Sequence, residues 1–137
     1  RGNIDIGVIV NPISSPDVVL QKIASDTIRV WHTKGGSRDS IICNMHFFQT
    51  QAILRKWKDK PQRLVATESL ELICRIVSEG TGLGIIPERA VKLTGLPLQA
   101  VTSLPSVSDE FYLIHRPEFG RAAAEKFVTA ALKKAFV

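Results

Sequence analysis

The chain has 137 residues, which is enough for one domain or two small lobes with a buried core. Hydrophobic residues make up 45% of it and charged residues 23%, a globular balance that excludes a disordered or low-complexity protein. No apolar run approaches the roughly 20 residues that cross a bilayer, so we expect no membrane partner. The sequence begins without Met or a signal-peptide pattern, which predicts a chain that starts in mid-protein.

The formal net charge of +5 raises the question of a nucleic-acid partner. The densest basic cluster comprises Arg55, Lys56, Lys58, Lys60 and Arg63. It is interpreted either as a solvated helix face or as a phosphate-binding patch. No helix-turn-helix, zinc-finger or RNA-binding motif accompanies the cluster, so charge alone does not decide between the two.

The first part of the chain predicts three strands. Residues 4–10 form a nearly continuous apolar run that ends at Asn11-Pro12, which is typical of a strand buried on both faces. Residues 18–23 and 27–32 predict two more strands around a turn at residues 24–26.

The next segment predicts a strand followed by a helix. Residues 34–37 favour a loop between lobes, and residues 41–43 a buried strand. Asn44 is placed to cap a helix over residues 46–58, and Pro61 follows that helix.

The central segment carries the clearest pattern. Residues 63–66 predict a strand, and Thr67-Glu68-Ser69 opens a helix whose apolar residues recur at helical spacing up to Gly80. Residues 83–86 predict a further strand, which Pro87 ends.

The last part alternates again between helix and strand. Residues 88–93 predict a short helix, residues 98–101 a minor strand, residues 111–115 a longer strand, and residues 119–136 a closing helix. Strands alternating with helices predict an α/β fold with a largely parallel sheet.

Two patterns with possible chemistry have simpler structural explanations. Residues 80–84 contain three glycines, but a helix leads into them and a strand follows, the reverse of a nucleotide-binding loop. Cys43 and His46 have a metal-like spacing, but a closed zinc site needs four ligands. We therefore predict no cofactor, no metal and no enzymatic activity, and we expect Cys43 and Cys74 to be buried, reduced thiols.

Two places are candidates for ligand binding. Thr67-Glu68-Ser69 lies where a strand meets a helix N-terminus, so amides and hydroxyls there either bind an anion or simply cap the helix. Asn11-Pro12 ends a strand at the edge where open α/β sheets place ligands, although a plain turn explains it equally well.

The segment from Thr67 to Glu88 resembles the signature of LysR-type regulator effector domains: a polar turn, a helix, a glycine-rich turn, a strand and a proline. Residues 4–8 are similar to the family's Asp-containing first-lobe strand. Residues 113–116 and the helix that follows are similar to its C-terminal end. The resemblance covers nearly the whole chain.

This resemblance implies a fold like that of type II periplasmic binding proteins, with two Rossmann-like lobes joined by crossing strands. Residues 1–33 and 106–137 would form the first lobe, and residues 34–105 the second. The effector would lie in the cleft between lobes. The predicted ligand-binding residues are Asn11, Pro12, Asn44, Met45, His46, Phe47, Thr67, Glu68, Ser69 and Pro87.

The resemblance also implies a function. The chain would be the effector-binding domain of a bacterial, cytoplasmic transcriptional regulator that senses a small, possibly anionic metabolite. The regulator would be a homodimer or homotetramer. DNA would be contacted only by a winged helix-turn-helix domain that this sequence lacks, and the first lobe would be incomplete. The alternative is a solute-binding protein of a transport system, which has the same architecture.

Overall fold

The computed structural model describes residues 6–117 and Lys126. The predicted helix over residues 119–136 lies outside this part, Lys126 excepted. The described elements, in chain order, are β1 (Ile6–Val10), β2 (Val19–His32), β3 (Ser40–Cys43), α1 (Phe48–Lys56), β4 (Arg63–Ala66), α2 (Leu70–Ser78), β5 (Leu83–Pro87), α3 (Glu88–Thr94), β6 (Gln99–Ala100) and β7 (Val107–His115). None of the helices within these residues is long and apolar enough to span a bilayer.

The chain divides into two compact units. The first comprises Arg1–Asp26 with Asp109–Val137, and the second comprises Thr27–Ser108. Both boundaries fall inside a strand, β2 and β7 respectively. The sequence-based lobes, 1–33 with 106–137 and 34–105, stay a prediction.

In the second unit the strands follow the order β2-β5-β3-β4, with β6 paired to β2. β3 is parallel to β4 and to β5, whereas β2 is antiparallel to β5 and β6. The predicted largely parallel sheet is therefore wrong in part, because the sheet is mixed. Parallel neighbours need a crossover connection, and helices supply it here: α1 connects β3 to β4, and α2 connects β4 to β5.

Alternating side chains of these strands build a core on each face of the sheet. Ile41 and Cys43 of β3 pack with Ile53 of α1, whereas Ile42 packs with Ile73 of α2. On that second face the Trp31 indole also donates a hydrogen bond to the carbonyl of Ile86 at 2.9 Å. Helices on both faces explain why all of β3 and β5 is buried.

Two glycines shape the connection between α2 and β5: one ends the helix, and the other lets the helix pack closely on the strand. Gly80 has φ 85°, a left-handed conformation that ends the helix without the strain a Cβ would add. Gly84 lets α2 approach the strand, because a Cβ there would lie 2.5 Å from Cγ2 of Val77. The structural explanation of the glycine-rich segment is confirmed.

In the first unit β7 lies between β1 and β2, and β1 is antiparallel to β7. The expected burial of the first strand on both faces is wrong. Val8 is 41% exposed and Val10 46%, because β1 stands at the end of the described strand order.

Two further element predictions need correction. The two strands predicted around a turn at residues 24–26 are one continuous strand, β2. Pairing with β7 and β5 along its length outweighs the low strand propensity of Ser25 and Asp26. The predicted helix over residues 46–58 is shorter, since α1 spans only Phe48–Lys56.

Candidate functional site

The second unit gathers most of the predicted site residues at one edge of its sheet. β3, β4 and β5 are parallel, and Cys43 at the end of β3 is level with Ala66 at the end of β4. Their carboxyl ends therefore share an edge, where open α/β sheets hold ligands. We call this the carboxyl edge; it comprises residues 44–47, residues 67–69 and Pro87.

The loop after β3 is held by its own hydrogen bonds. The Asn44 side chain is buried, and its Oδ1 accepts from the backbone N–H of His46 at 3.0 Å. The predicted capping of α1 by Asn44 is wrong, because Phe47 occupies the N-cap position without a side-chain cap. Asn44 lies too far upstream of that position and closes a local turn instead.

Gln51 is a member of this loop's network that the sequence analysis missed. Its Nε2 donates to the carbonyl of Met45 at 2.8 Å, from the first turns of α1. The only signal in the sequence was its place about one helical turn after the loop. Gln51 thus fixes the backbone that presents Met45 and His46.

The turn after β4 carries the predicted hydroxyls. Ser69 is the N-cap of α2, and its Oγ accepts from the N–H of Leu72 at 3.1 Å. Thr67 Oγ1 accepts from the N–H of Ser69 at 3.3 Å. Capping of this helix by Ser69 is confirmed. The N–H groups of Leu70 and Glu71 belong to the first turn, which has no acceptor within the helix, and they lie at the positive end of its dipole.

Two contacts join the end of β3 and the loop that follows it to the β4–α2 turn. The N–H of Thr67 donates to the carbonyl of Cys43 at 3.1 Å. His46 Nε2 lies 3.2 Å from Glu68 Oε2, and both side chains are more than three-quarters exposed. Such an exposed pair contributes little to stability, so both groups remain available to a ligand at modest cost.

The thiol of Cys43, the last residue of β3, is buried next to the carboxyl edge. The Cys43 thiol donates to Met45 Sδ at 3.5 Å, and burial raises its pKa, so it stays protonated at neutral pH. Burial likewise raises the pKa of the Cys74 thiol. Both cysteines are free and buried, as predicted. Within the described residues no group of three or more potential metal ligands is found.

Asn11 and Pro12 belong to the first unit, where Asn11 ties β1 to β7. Asn11 has φ 49°, its Nδ2 donates to Asp109 Oδ1 at 3.0 Å, and its Oδ1 accepts from the N–H of Glu110 at 2.7 Å. This network provides a structural role for Asn11. A role for Asn11 and Pro12 in binding stays a prediction.

A cavity of about 350 Å³ lies at the other end of β4, away from the carboxyl edge. It is lined by Asp59, Lys60, Pro61, Gln62 and Leu64. None of the predicted site residues lines it.

The fold is similar to that of several solved proteins. The backbone resembles full-length LysG of Corynebacterium glutamicum with bound effector Arg (TM-score 0.68, 14% identity, 100% of this chain and 52% of that one). It also resembles the apo regulatory domain of HypT from Salmonella typhimurium (TM-score 0.61, 12% identity, 98% and 74%). The reduced regulatory domain of OxyR2 from Vibrio vulnificus is similar as well (TM-score 0.59, 14% identity, 98% and 73%). The predicted α/β fold of the type II periplasmic-binding-protein kind is confirmed.

The sequence itself matches a family model, the LysR substrate binding domain, over residues 1–135. The chain therefore belongs to the LysR substrate-binding domain family. It spans about half the length of full-length regulators, 52% of LysG and 48% of another LysR family transcriptional regulator. No match was found among curated proteins.

Proposed function

We propose that this chain is the effector-binding domain of a LysR-type transcriptional regulator, and that the carboxyl edge binds the effector. One observation carries the proposal. The end of β3 with its loop and the turn before α2 are joined at this edge, through the Thr67 N–H to Cys43 carbonyl bond and the His46–Glu68 pair. Family membership supports the class of function, and the joined loops support the place.

The chemistry of the turn after β4 favours an anionic group on the effector. Ser69 Oγ and Thr67 Oγ1 each accept a backbone hydrogen bond, which leaves each hydroxyl proton to be donated outward. The first-turn amides of α2 add donors at the positive end of the helix dipole. A carboxylate placed there would accept from both kinds of donor.

Free amino acids are the first effectors to test. LysG, whose fold is similar, is described with Arg as its bound effector. An amino acid would place its carboxylate at the start of α2, and the exposed carboxylate of Glu68 would face a cationic group.

The effector would act by changing the relative populations of the regulator's conformations. A ligand that binds one conformation of the regulator better than another shifts the equilibrium between them, and with it the affinity for DNA. We propose that the regulator is a cytoplasmic homodimer or homotetramer, that DNA is held by a separate winged helix-turn-helix domain, and that the chain itself is not an enzyme.

The test is a calorimetric titration of the chain with each standard amino acid. A binder should lose at least tenfold in affinity in the double variant Thr67→Ala/Ser69→Ala, about 1.4 kcal/mol, because two donors to the anion are removed. Circular dichroism should show that the variant remains folded.

The matched control is Ser78→Ala/Thr94→Ala. These hydroxyls also lie at helix ends of the second unit, where they donate to the carbonyls of Arg75 and Val91. Affinity should be unchanged in the control. Equal affinity for the chain and the Thr67→Ala/Ser69→Ala variant would refute binding at the carboxyl edge.

A further inference from the structure

The segment from Arg55 to Arg63 concentrates the positive charge of the chain. It holds five basic residues, Arg55, Lys56, Lys58, Lys60 and Arg63, and one acidic residue, Asp59. The segment thus has a net charge of +4, and the rest of the chain, with 13 basic and 12 acidic residues, has +1. We call the five basic residues the basic segment.

All five side chains of the basic segment are exposed, and none forms an ion pair with another residue that the structure describes. The close contacts between basic and acidic side chains among the described residues join other residues, Lys22 with Glu110, His46 with Glu68, and Arg75 with Glu71. α1 contains no acidic residue, so Arg55 and Lys56 have no partner one turn earlier on their own helix.

The dipole of α1 accounts for only two of the five residues of the basic segment. Arg55 and Lys56 lie in the last turn of α1, where cations are favoured by the helix dipole. Lys58, Lys60 and Arg63 lie beyond the last turn, where the effect of the helix dipole falls off. Asp59 has φ 59°, a left-handed turn, and Lys58 and Lys60 flank it. Repulsion among these charges opposes folding, and a polyanion bound to them would relieve it.

We infer that the basic segment binds the phosphate backbone of duplex DNA without reading its sequence. Binding between proteins usually needs apolar or aromatic anchors, but the one aromatic residue here, Trp57, is 5% exposed and packs in the core. Phosphate contacts need only cations, and their energy comes from counterion release. The lack of an exposed aromatic ring in the segment also argues against stacking on single-stranded bases.

The inference goes beyond the proposed effector site. It adds a second contact with DNA, through the effector-binding domain itself, to the one that a winged helix-turn-helix domain would make. Because the basic segment does not include the carboxyl edge, each can be tested without the other.

The experiment measures fluorescence anisotropy of a labelled DNA duplex of arbitrary sequence, titrated with the 137-residue chain and no effector. Binding should weaken steeply between about 50 and 200 mM salt. The variant Lys56→Gln/Lys58→Gln/Lys60→Gln should bind at least tenfold more weakly at about 50 mM salt. Its slope of log affinity against log salt should be shallower by about 2.7, that is 0.9 for each lost contact.

The matched control removes the same charge elsewhere in the second unit, as Lys34→Gln/Arg38→Gln/Lys92→Gln; these three side chains are also exposed. The control should lose less than about threefold in affinity, because net charge alone contributes weakly through screening. Equal losses in both variants would overturn the inference. So would the absence of DNA binding at low salt, or tighter binding of poly-glutamate than of DNA, which would assign the segment to an acidic protein.

Discussion

β3 and β4 are neighbouring strands that each begin with a polar residue followed by three apolar ones, yet their environments are opposite. β3 reads Ser-Ile-Ile-Cys and is buried throughout, whereas β4 reads Arg-Leu-Val-Ala and is exposed throughout. β3 lies between β4 and β5, with helices packed on both faces, whereas β4 ends the described strand order. A short apolar run therefore predicts a strand, but its place in the sheet decides whether the strand contributes to the core.

The largest expected effect tests this contrast directly. Ile42→Ala in β3 should lower the free energy of unfolding by about 2–5 kcal/mol, because Ile42 is 1% exposed and its loss leaves a cavity against α2. Val65→Ala in β4, where the side chain is 40% exposed, should cost less than about 1 kcal/mol. Urea denaturation measures both, and equal losses would contradict the assigned positions of the two strands.

A second test concerns the other neighbour of β3. Gly84→Ala in β5 should cost about 1–3 kcal/mol, because the new methyl group would overlap Val77 and Ile86 in a packed core. Gly7→Ala in β1 is the matched control, since its Cβ would make only an ordinary contact with Ile114 at 3.5 Å. Thermal unfolding should show the control within about 0.5 kcal/mol of the parent. A Gly84→Ala protein as stable as the parent would disprove the close approach of α2.

A smaller loss of stability is expected in the turn that follows β4. Ser69→Ala should lower stability by about 1 kcal/mol, because the N–H of Leu72 loses its cap. Ser69→Asp should restore most of the loss, since a carboxylate caps equally well and suits the helix dipole. Chemical denaturation of the three proteins measures this, and an unstable Ser69→Asp variant would argue against simple capping.

The smallest effect lies in the first unit. Hydrogen bonding and attraction to Lys22 lower the pKa of the exposed Glu110 carboxyl below its usual 4.5. Because the pKa of Glu110 is lower in the folded state, the ionised carboxylate stabilises the folded protein at any pH above its unfolded-state pKa. This stabilisation disappears as the pH falls through the folded-state pKa. Glu110→Gln should therefore reduce the melting temperature slightly at pH 7, and the difference should shrink as the pH falls through the lowered folded-state pKa of Glu110. A difference that grows on acidification would contradict the sign.

The sequence predicted the periodic elements well and the sheet less well. The cap at Ser69, the left-handed end of α2 at Gly80 and the buried thiols depend on local chemistry, and all three are confirmed. The continuity of β2 through Ser25 and Asp26, the exposure of Val8 and the antiparallel pairings depend on distant partners, which no local pattern reveals.

At the candidate site, too, some features could be predicted from the sequence and others could not. Residues 67–69 could be expected at the carboxyl edge from the sequence, because a strand meets a helix N-terminus there, whereas residues 44–47 and Pro87 were implied by the family resemblance. The local turn made by Asn44 and the contact of Gln51 with Met45 could not be expected, since they depend on where α1 begins. The family resemblance supplied the class of function, and the residue roles at the edge stay a prediction.

The most direct test of the central claim is a map of backbone amide chemical shifts during titration with the tightest-binding amino acid. Binding at the carboxyl edge predicts that the largest changes fall on residues 44–47 and 67–71, with Leu70 and Glu71 foremost because their N–H groups would meet the carboxylate. Changes confined to residues 59–64, at the opposite end of β4, would contradict the assignment.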